Sequence, residues 1–227
     1  MSKRFKIIFF VRTFGYMLFL LGISGLLAFF APLLHAEIQY RIDKIEGIKR
    51  IVTPDIANKE EVAHIGFENL DVNVPEGEII TPVSTNFGIV IEKINANSKV
   101  VANVNPSLES EYTEALKSGV AHAKGTSLPG EKGNTYLFSH STNAPWNIIR
   151  YNAVFYLLRE VEPGDKVVIF YNGRRHNYVV FDKHVVDADD TEYLTNKYDK
   201  PILTLQTCDP PGTLWKRLIV RAKLEGS

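Results

Sequence analysis

A mainly β domain, a barrel or a sandwich of short strands, standing behind one N-terminal membrane helix is the architecture this chain predicts. Residues 13–34 carry no charged side chain and are dominated by Phe, Leu, Ile, Gly and Ala, a run long enough to cross a hydrocarbon core of about 30 Å as a helix. From about Phe87 the texture changes to short β-rich runs separated by turn residues. Within that region 166–171, Asn172-Gly173 and 174–186 form the clearest hairpin, because Asn-Gly is the preferred two-residue turn between strands.

The ends of the chain differ in character. Lys3, Arg4, Lys6 and Arg12 precede the apolar run, and no acidic residue occurs among the first twelve. The positive-inside rule then predicts a cytoplasmic tail over 1–12, a transmembrane helix over 13–35 and an extracellular remainder, in a single-pass protein of the cell membrane. A cleaved signal peptide is the competing reading. Its apolar region is shorter, and Leu34-His35-Ala36 is a poor cleavage site, so an uncleaved anchor is preferred. The 227 residues carry 26 basic and 26 acidic side chains, enough chain for one sizeable domain and a smaller part. No basic stripe with interleaved aromatics marks a nucleic-acid reader. There are no internal repeats.

Residues 36–85 read as a juxtamembrane stalk and linker. Ile38, Ile42, Ile45, Ile48 and Val52 recur at helical spacing among charges, which predicts an extension of the membrane helix or a segment lying on the membrane surface. Residues 53–82 mix Pro, Gly and carboxylates and read as a solvated spacer with a short helix at 58–63. The domain proper, 86–227, opens with strands at 88–94 and 99–104 and a helix over 108–117, which has Glu109 and Glu111 early, Lys117 late and Gly119 beyond. Further strands are expected at 135–140, 166–171, 174–186, 202–207 and 217–224.

The last strand pair carries the chemistry. Cys208 is the single cysteine, so no internal disulfide is possible, and an unpaired thiol in an oxidising compartment is a liability unless it has a use. Asp209-Pro210-Pro211-Gly212 forces a loop after it, and Arg217 follows nine positions on. Period-two alternation puts Leu203, Leu205 and Thr207 on one face and Thr204, Gln206 and Cys208 on the other. In the next strand Leu218, Val220, Ala222 and Leu224 oppose Arg217, Ile219, Arg221 and Lys223. With the apolar faces in a core, Cys208 and Arg217 share the outer face. There the permanent guanidinium charge favours thiolate. A buried inert cysteine beside a solvated arginine is the plain alternative. Of the six histidines, His35 borders the membrane, His64 lies in the spacer, and His176 and His184 sit within the hairpin. His122 reads equally well as a packed strand residue. His140 ends the apolar run Tyr136-Leu137-Phe138 and opens a polar loop, which is where catalytic groups are displayed, so it leads as the base.

Thr204-Leu205-Gln206-Thr207-Cys208 resembles the TLxTC signature of sortases, membrane-anchored cysteine transpeptidases of bacterial surfaces, and Arg217-Leu218-Ile219-Val220 resembles the strand bearing that family's arginine. Residues 119–141 are similar to its segment leading into the catalytic histidine, and Pro163-Gly164-Asp165-Lys166-Val167 to its turn before the long hairpin. The resemblance spans about 86–224. It implies a closed eight-stranded β-barrel with short helices, Cys208 as nucleophile, His140 as acid/base, and Arg217 as the group holding substrate carbonyls and the oxyanion. It also implies the partners: surface proteins with a Leu-Pro-x-Thr-Gly-like sorting motif, and an amine acceptor from a cell-wall precursor or a pilin lysine.

Gln206, Thr207 and Trp146 are secondary candidates for substrate contact, Thr207 with a packing role as its alternative. Ser139 stands where the family usually has Gly or Ala. No Asp-Pro-aromatic lid motif occurs between 53 and 86, and the nine-residue Cys-to-Arg spacing looks less like class A than the other classes. No cofactor is expected. Some sortases bind calcium near the loop that here carries Asp187, Asp189, Asp190 and Glu192, but the spacing matches no calcium loop and a solvated acidic turn is the expectation. Two readings compete with a sortase. A papain-like peptidase needs its cysteine upstream of its histidine, the reverse of the order here; a non-enzymatic β-domain binding envelope proteins leaves the Cys, His and Arg set without a purpose.

Overall fold

Two periodicities in the sequence, a long unbroken apolar run and then strict alternation, become a helix and a closed barrel. The computed structural model describes residues 3–52, 77–141 and 154–227. The helix α1 spans Lys3–Glu46 and ends at Gly47, whose positive φ of 67° lets the chain turn out of it. Within α1, residues Lys3–Ala28 are long and apolar enough to cross a membrane, with none of that stretch buried. This overlaps the expected 13–35.

Eight strands close into the barrel: β3 (Phe87–Ile91), β4 (Ala96–Val104), β5 (Val120–Ala123), β6 (Gly133–Phe138), β7 (Lys166–Tyr171), β8 (Arg174–Asp187), β9 (Pro201–Asp209) and β10 (Lys216–Leu224). Around the barrel the order is β10, β8, β7, β3, β4, β5, β6, β9, with β9 closing onto β10. Closure leaves no barrel edge free for stray pairing. Most contacts are antiparallel; β4–β5 and β6–β9 are parallel. The β4–β5 crossover runs through α2 (Glu109–Ser118), and Gly119 ends it where a Cβ would lie 2.4 Å from the Lys99 carbonyl oxygen. The Asn172-Gly173 turn takes positive φ at both residues, as the hairpin predicts.

One face of each strand fills the barrel. Ile89, Ile91, Leu137, Ile169, Leu203, Leu205 and Val220 are completely buried there. Val104, Leu116, Ala121, Tyr136 and Phe138 form a second cluster on the outer side, under α2.

The structure corrects the expected spacer. The helical spacing read across 38–52 stops at Glu46, and Arg50–Val52 is a strand, β1, paired in parallel with β2 (Glu78–Ile80). The reason is burial. Val52 and Ile80 cover Val90, Val168 and Phe170, outward-facing apolar residues of β3 and β7 that otherwise meet water. The end of α1 is likewise fastened: Tyr40 joins the barrel core, Glu37 meets Arg159 at 2.6 Å, and Arg50 bridges Asp43 at 2.8 Å and Glu78 at 2.9 Å. The short helix expected at 58–63 lies outside the described residues. Two other expectations shift. Residues 92–94, predicted as strand, form a 3-10 turn, and the strand leading to His140 stops at Phe138. A one-turn helix, α3 (Glu192–Thr195), stands in the β8–β9 connection.

Candidate active site

Register brings the predicted groups together. β9 and β10 pair with Arg217 directly opposite Cys208, on the face turned away from the core. β6 runs parallel beside β9 on its other flank, with Phe138 opposite Gln206. Two links carry this alignment beyond β6. The Ser139 amide donates to the Gln206 carbonyl at 3.1 Å, and the Thr207 hydroxyl donates to the Ser139 carbonyl at 3.0 Å. Both links fasten the residue before His140 to β9, at the two residues that precede Cys208. His140, Cys208 and Arg217 thus lie at the same end of three adjacent strands, His140 two residues past β6, Cys208 on β9 and Arg217 on β10.

The middle of the outer face is covered. Sequence alternation leaves the whole Thr204–Gln206–Cys208 face available, but Thr204 is fully buried and Ile219 1% exposed. The β8–β9 connection covers them. Thr204 donates to the Asn134 side-chain oxygen at 2.7 Å, and the Asn134 amide donates to the Tyr193 carbonyl in α3 at 2.8 Å. Tyr193 is also gripped from below. Arg221 lies over its ring at 5.4 Å and over Phe181 at 5.1 Å, while donating to Tyr198 at 3.2 Å and to Asp182. Asp182 also holds His184 at 2.6 Å. Arg221 and Arg217 share a face and were readable as such, but partners drawn from β8 and α3 carry no spacing signal.

The secondary candidates divide. Thr207 is 3% exposed, points inward and spends its hydroxyl on the Ser139 carbonyl, which fits its packing alternative. Gln206 is half-buried on the outer face and accepts a hydrogen bond from the Tyr136 hydroxyl. Tyr136, missed by sequence reasoning, lies close enough to Arg217 and Asp190 to feel both charges, while burial holds its phenol protonated. Trp146 lies outside the described residues, as does Tyr151, and Phe155 is completely buried in the core. His122 is a packed residue, as one of its two readings held. It is fully buried, its Nδ1 accepts from the Asn103 amide at 3.4 Å, and its Nε2 meets the Ser127 carbonyl at 3.2 Å. These partners hold the neutral tautomer with the proton on Nε2.

Electrostatics also correct one expectation. Burial raises the Cys208 pKa above the ordinary thiol value, and the opposing field of Arg217 is the smaller influence. Burial lowers the His140 pKa. At neutral pH the resting pair is therefore thiol and neutral imidazole, not the thiolate that proximity to Arg217 alone suggests. Arg217 is held ready by its own loop, donating to the carbonyls of Leu214 at 3.2 Å and Lys216 at 3.1 Å. Asp187 pairs with Lys216 at 2.8 Å, and among the described residues no group of acidic, His or Cys side chains is arranged to hold a metal ion.

The barrel region matches known proteins. The sortase domain model matches residues 89–225. Sortase D of Bacillus subtilis (strain 168) is 30% identical over 136 residues, covering 59% of this chain and 60% of that protein. The chain thus aligns with well under two thirds of this relative's length. Among solved structures, a Clostridium perfringens sortase D5 transpeptidase is 26% identical with a TM-score of 0.51, covering 62% of this chain and 79% of that one. A pilus-related sortase C of group B Streptococcus is 29% identical with a TM-score of 0.52, over 63% and 68%. Sortase A from Corynebacterium diphtheriae is 28% identical with a TM-score of 0.52, over 63% and 61%. Three sortase classes fit about equally well, so the subclass does not follow from the barrel. With the family model matching more than half of the chain, this protein belongs to the sortase family.

Proposed function

We propose that this protein is a membrane-anchored cysteine transpeptidase in which Cys208, His140 and Arg217 act on a Leu-Pro-x-Thr-Gly-like sorting motif. The observation that carries the reading is the direct pairing of Cys208 with Arg217, at the end of β9 that also flanks the strand leading to His140.

The resting protonation states set the order of events. His140, neutral, takes the Cys208 proton as the substrate arrives, and the sulfur attacks the threonine carbonyl carbon. A C–S bond forms, and the carbonyl electrons pass to oxygen, where the Arg217 guanidinium offers its charge. The C–N bond then breaks as the His140 imidazolium gives its proton to the leaving glycine amine. The thioacyl-enzyme is resolved in the reverse sense. An acceptor amine attacks, its proton passes to His140, and the thiol is restored. Arg217 never deprotonates, so its contribution is electrostatic throughout. The acceptor is an amine of a cell-wall precursor or a pilin lysine. The basic residues ahead of the apolar run support a cytoplasmic N-terminus, and with it a barrel outside the cell.

The test is to incubate the full chain in detergent with a pool of Leu-Pro-x-Thr-Gly-like peptides and weigh the intact protein. An added mass equal to an N-terminal peptide fragment, absent in Cys208→Ala, is the expected result and identifies the motif. A titratable thiol that no peptide acylates refutes the reading and favours a binding domain.

A further inference from the structure

A cavity of about 670 Å³ lies far from Cys208 and Arg217, where the end of α1, β1 and the turn at 92–94 meet the start of β7 and β8. Its wall includes Asn177 of β8, and the residue of β8 paired with Arg217 is Val186. Nine strand residues separate them, about 30 Å at 3.3 Å per residue. The cavity therefore opens at the end of the barrel that α1 joins.

Its lining is unbalanced in charge. Lys44, Lys49 and Arg50 face it from the helix side, and Lys93, Lys166 and Arg175 from the barrel side, against the carboxylates Asp43, Glu92 and Asp165. The whole chain is neutral, so six lining cations against three lining carboxylates, with Glu78 a fourth carboxylate on Arg50, still depart from the average surface. The carboxylates are already engaged. Asp43 holds Arg50 at 2.8 Å, Asp165 holds Lys93 at 2.8 Å, and Glu92 accepts from the Val52 amide at 3.1 Å. Lys44, Lys49 and Lys166 have no carboxylate partner among the described residues. The floor is fixed, with Tyr40 and Asp43 buried and the Arg50 side chain 7% exposed.

We propose that this cleft binds phosphate groups of a water-borne polyanion. The cations approach from two sides, which suits a tetrahedral phosphate presenting oxygens in several directions better than a planar carboxylate with two. The source follows from the reach of α1. Lys44 lies ten residues beyond Leu34, the end of the uncharged apolar run, about 15 Å along a helix at 1.5 Å per residue. That is beyond a phospholipid headgroup of the bilayer α1 spans. Because the lysines come from both the helix side and the barrel side, the bound anion ties the two together.

The test uses the full chain in phosphatidylcholine nanodiscs, titrated with inorganic tripolyphosphate by calorimetry. The expected result is saturable one-to-one binding that weakens with salt, as screening at 1 M shortens the reach of charge to about 3 Å. The triple variant Lys44→Gln, Lys49→Gln, Lys166→Gln should lose at least tenfold in affinity while acylation of Cys208 is unchanged. A control with Lys124→Gln, Lys132→Gln and Lys197→Gln, exposed lysines outside the cleft lining, should bind as the parent does. Absence of saturable binding, or a triple variant that binds like the parent, overturns the proposal. Loss of tripolyphosphate binding when phosphatidylglycerol is included in the nanodisc overturns the water-borne source and assigns the cleft to a lipid headgroup.

Discussion

Replacing Thr207 by valine isolates the contact that ties the residue before His140 to β9. The Thr207 hydroxyl is buried and donates to the Ser139 carbonyl at 3.0 Å, one residue before His140. Valine keeps nearly the same shape, so the change removes a hydrogen bond and leaves a buried carbonyl short of a partner. Such a loss costs about 1–3 kcal/mol. For a domain of this size each kcal/mol moves the melting temperature by about 2–4 °C, so a loss near 2 kcal/mol lowers it by about 4–8 °C. The strand-to-strand link from the Ser139 amide to Gln206 remains, so the segment stays attached but is less constrained. Small displacements of a catalytic group are expensive, and the acylation rate should fall by about ten- to a hundredfold. Thermal unfolding followed by circular dichroism and the rate of acyl-enzyme formation by mass spectrometry report the two effects. Thr207→Ser, which restores the hydroxyl and removes a methyl, should recover most of the rate. A valine variant with parental melting temperature and rate refutes the reasoning. So does a serine variant as slow as valine, since packing of the methyl would then be the cause.

Three other outcomes are expected. In Arg217→Gln the cation that holds the Cys208 pKa down is gone, so the alkaline limb of the pH–rate profile should move to higher pH and the rate should fall; a limb that stays in place or moves down rejects the assigned field. Burial lowers the pKa of His122, so between its folded value and about 6.5 the unfolded chain binds the extra proton and stability falls as pH falls. His122→Gln should therefore narrow the difference in melting temperature between pH 7.5 and pH 5, and an unchanged difference counts against His122 as a source. Arg221→Met removes the group that holds Tyr193, Tyr198 and Asp182 together. Amide exchange in 188–200 should accelerate while β3 and β7 keep their protection, and parental exchange rates in 188–200 would show that Asn134 alone anchors the segment.

Local pattern determined the strands and the turns between them. Alternation of apolar and polar residues placed Leu203, Leu205, Leu218 and Val220 in the core and turned Cys208 and Arg217 outward, because a strand offers its side chains only two directions. Asn172-Gly173 predicted its turn because both positions need positive φ. The membrane-crossing helix was legible for a similar reason, since its length and lack of charge are properties of the segment alone. The tertiary structure decided whatever depends on which strands become neighbours. That β6 lies parallel to β9, with Phe138 opposite Gln206, is a matter of register between segments about seventy residues apart. Burial of Thr204 and Ile219, the grip of Arg221 on Tyr193, and the docking of Val52 and Ile80 on the barrel arise from surfaces that exist only once it closes. The protonation of Cys208 and His140 belongs to the same class. The sequence supplies a cation beside a thiol, but desolvation is a property of the folded surroundings, and in them burial outweighs the charge of Arg217 and leaves Cys208 protonated at rest.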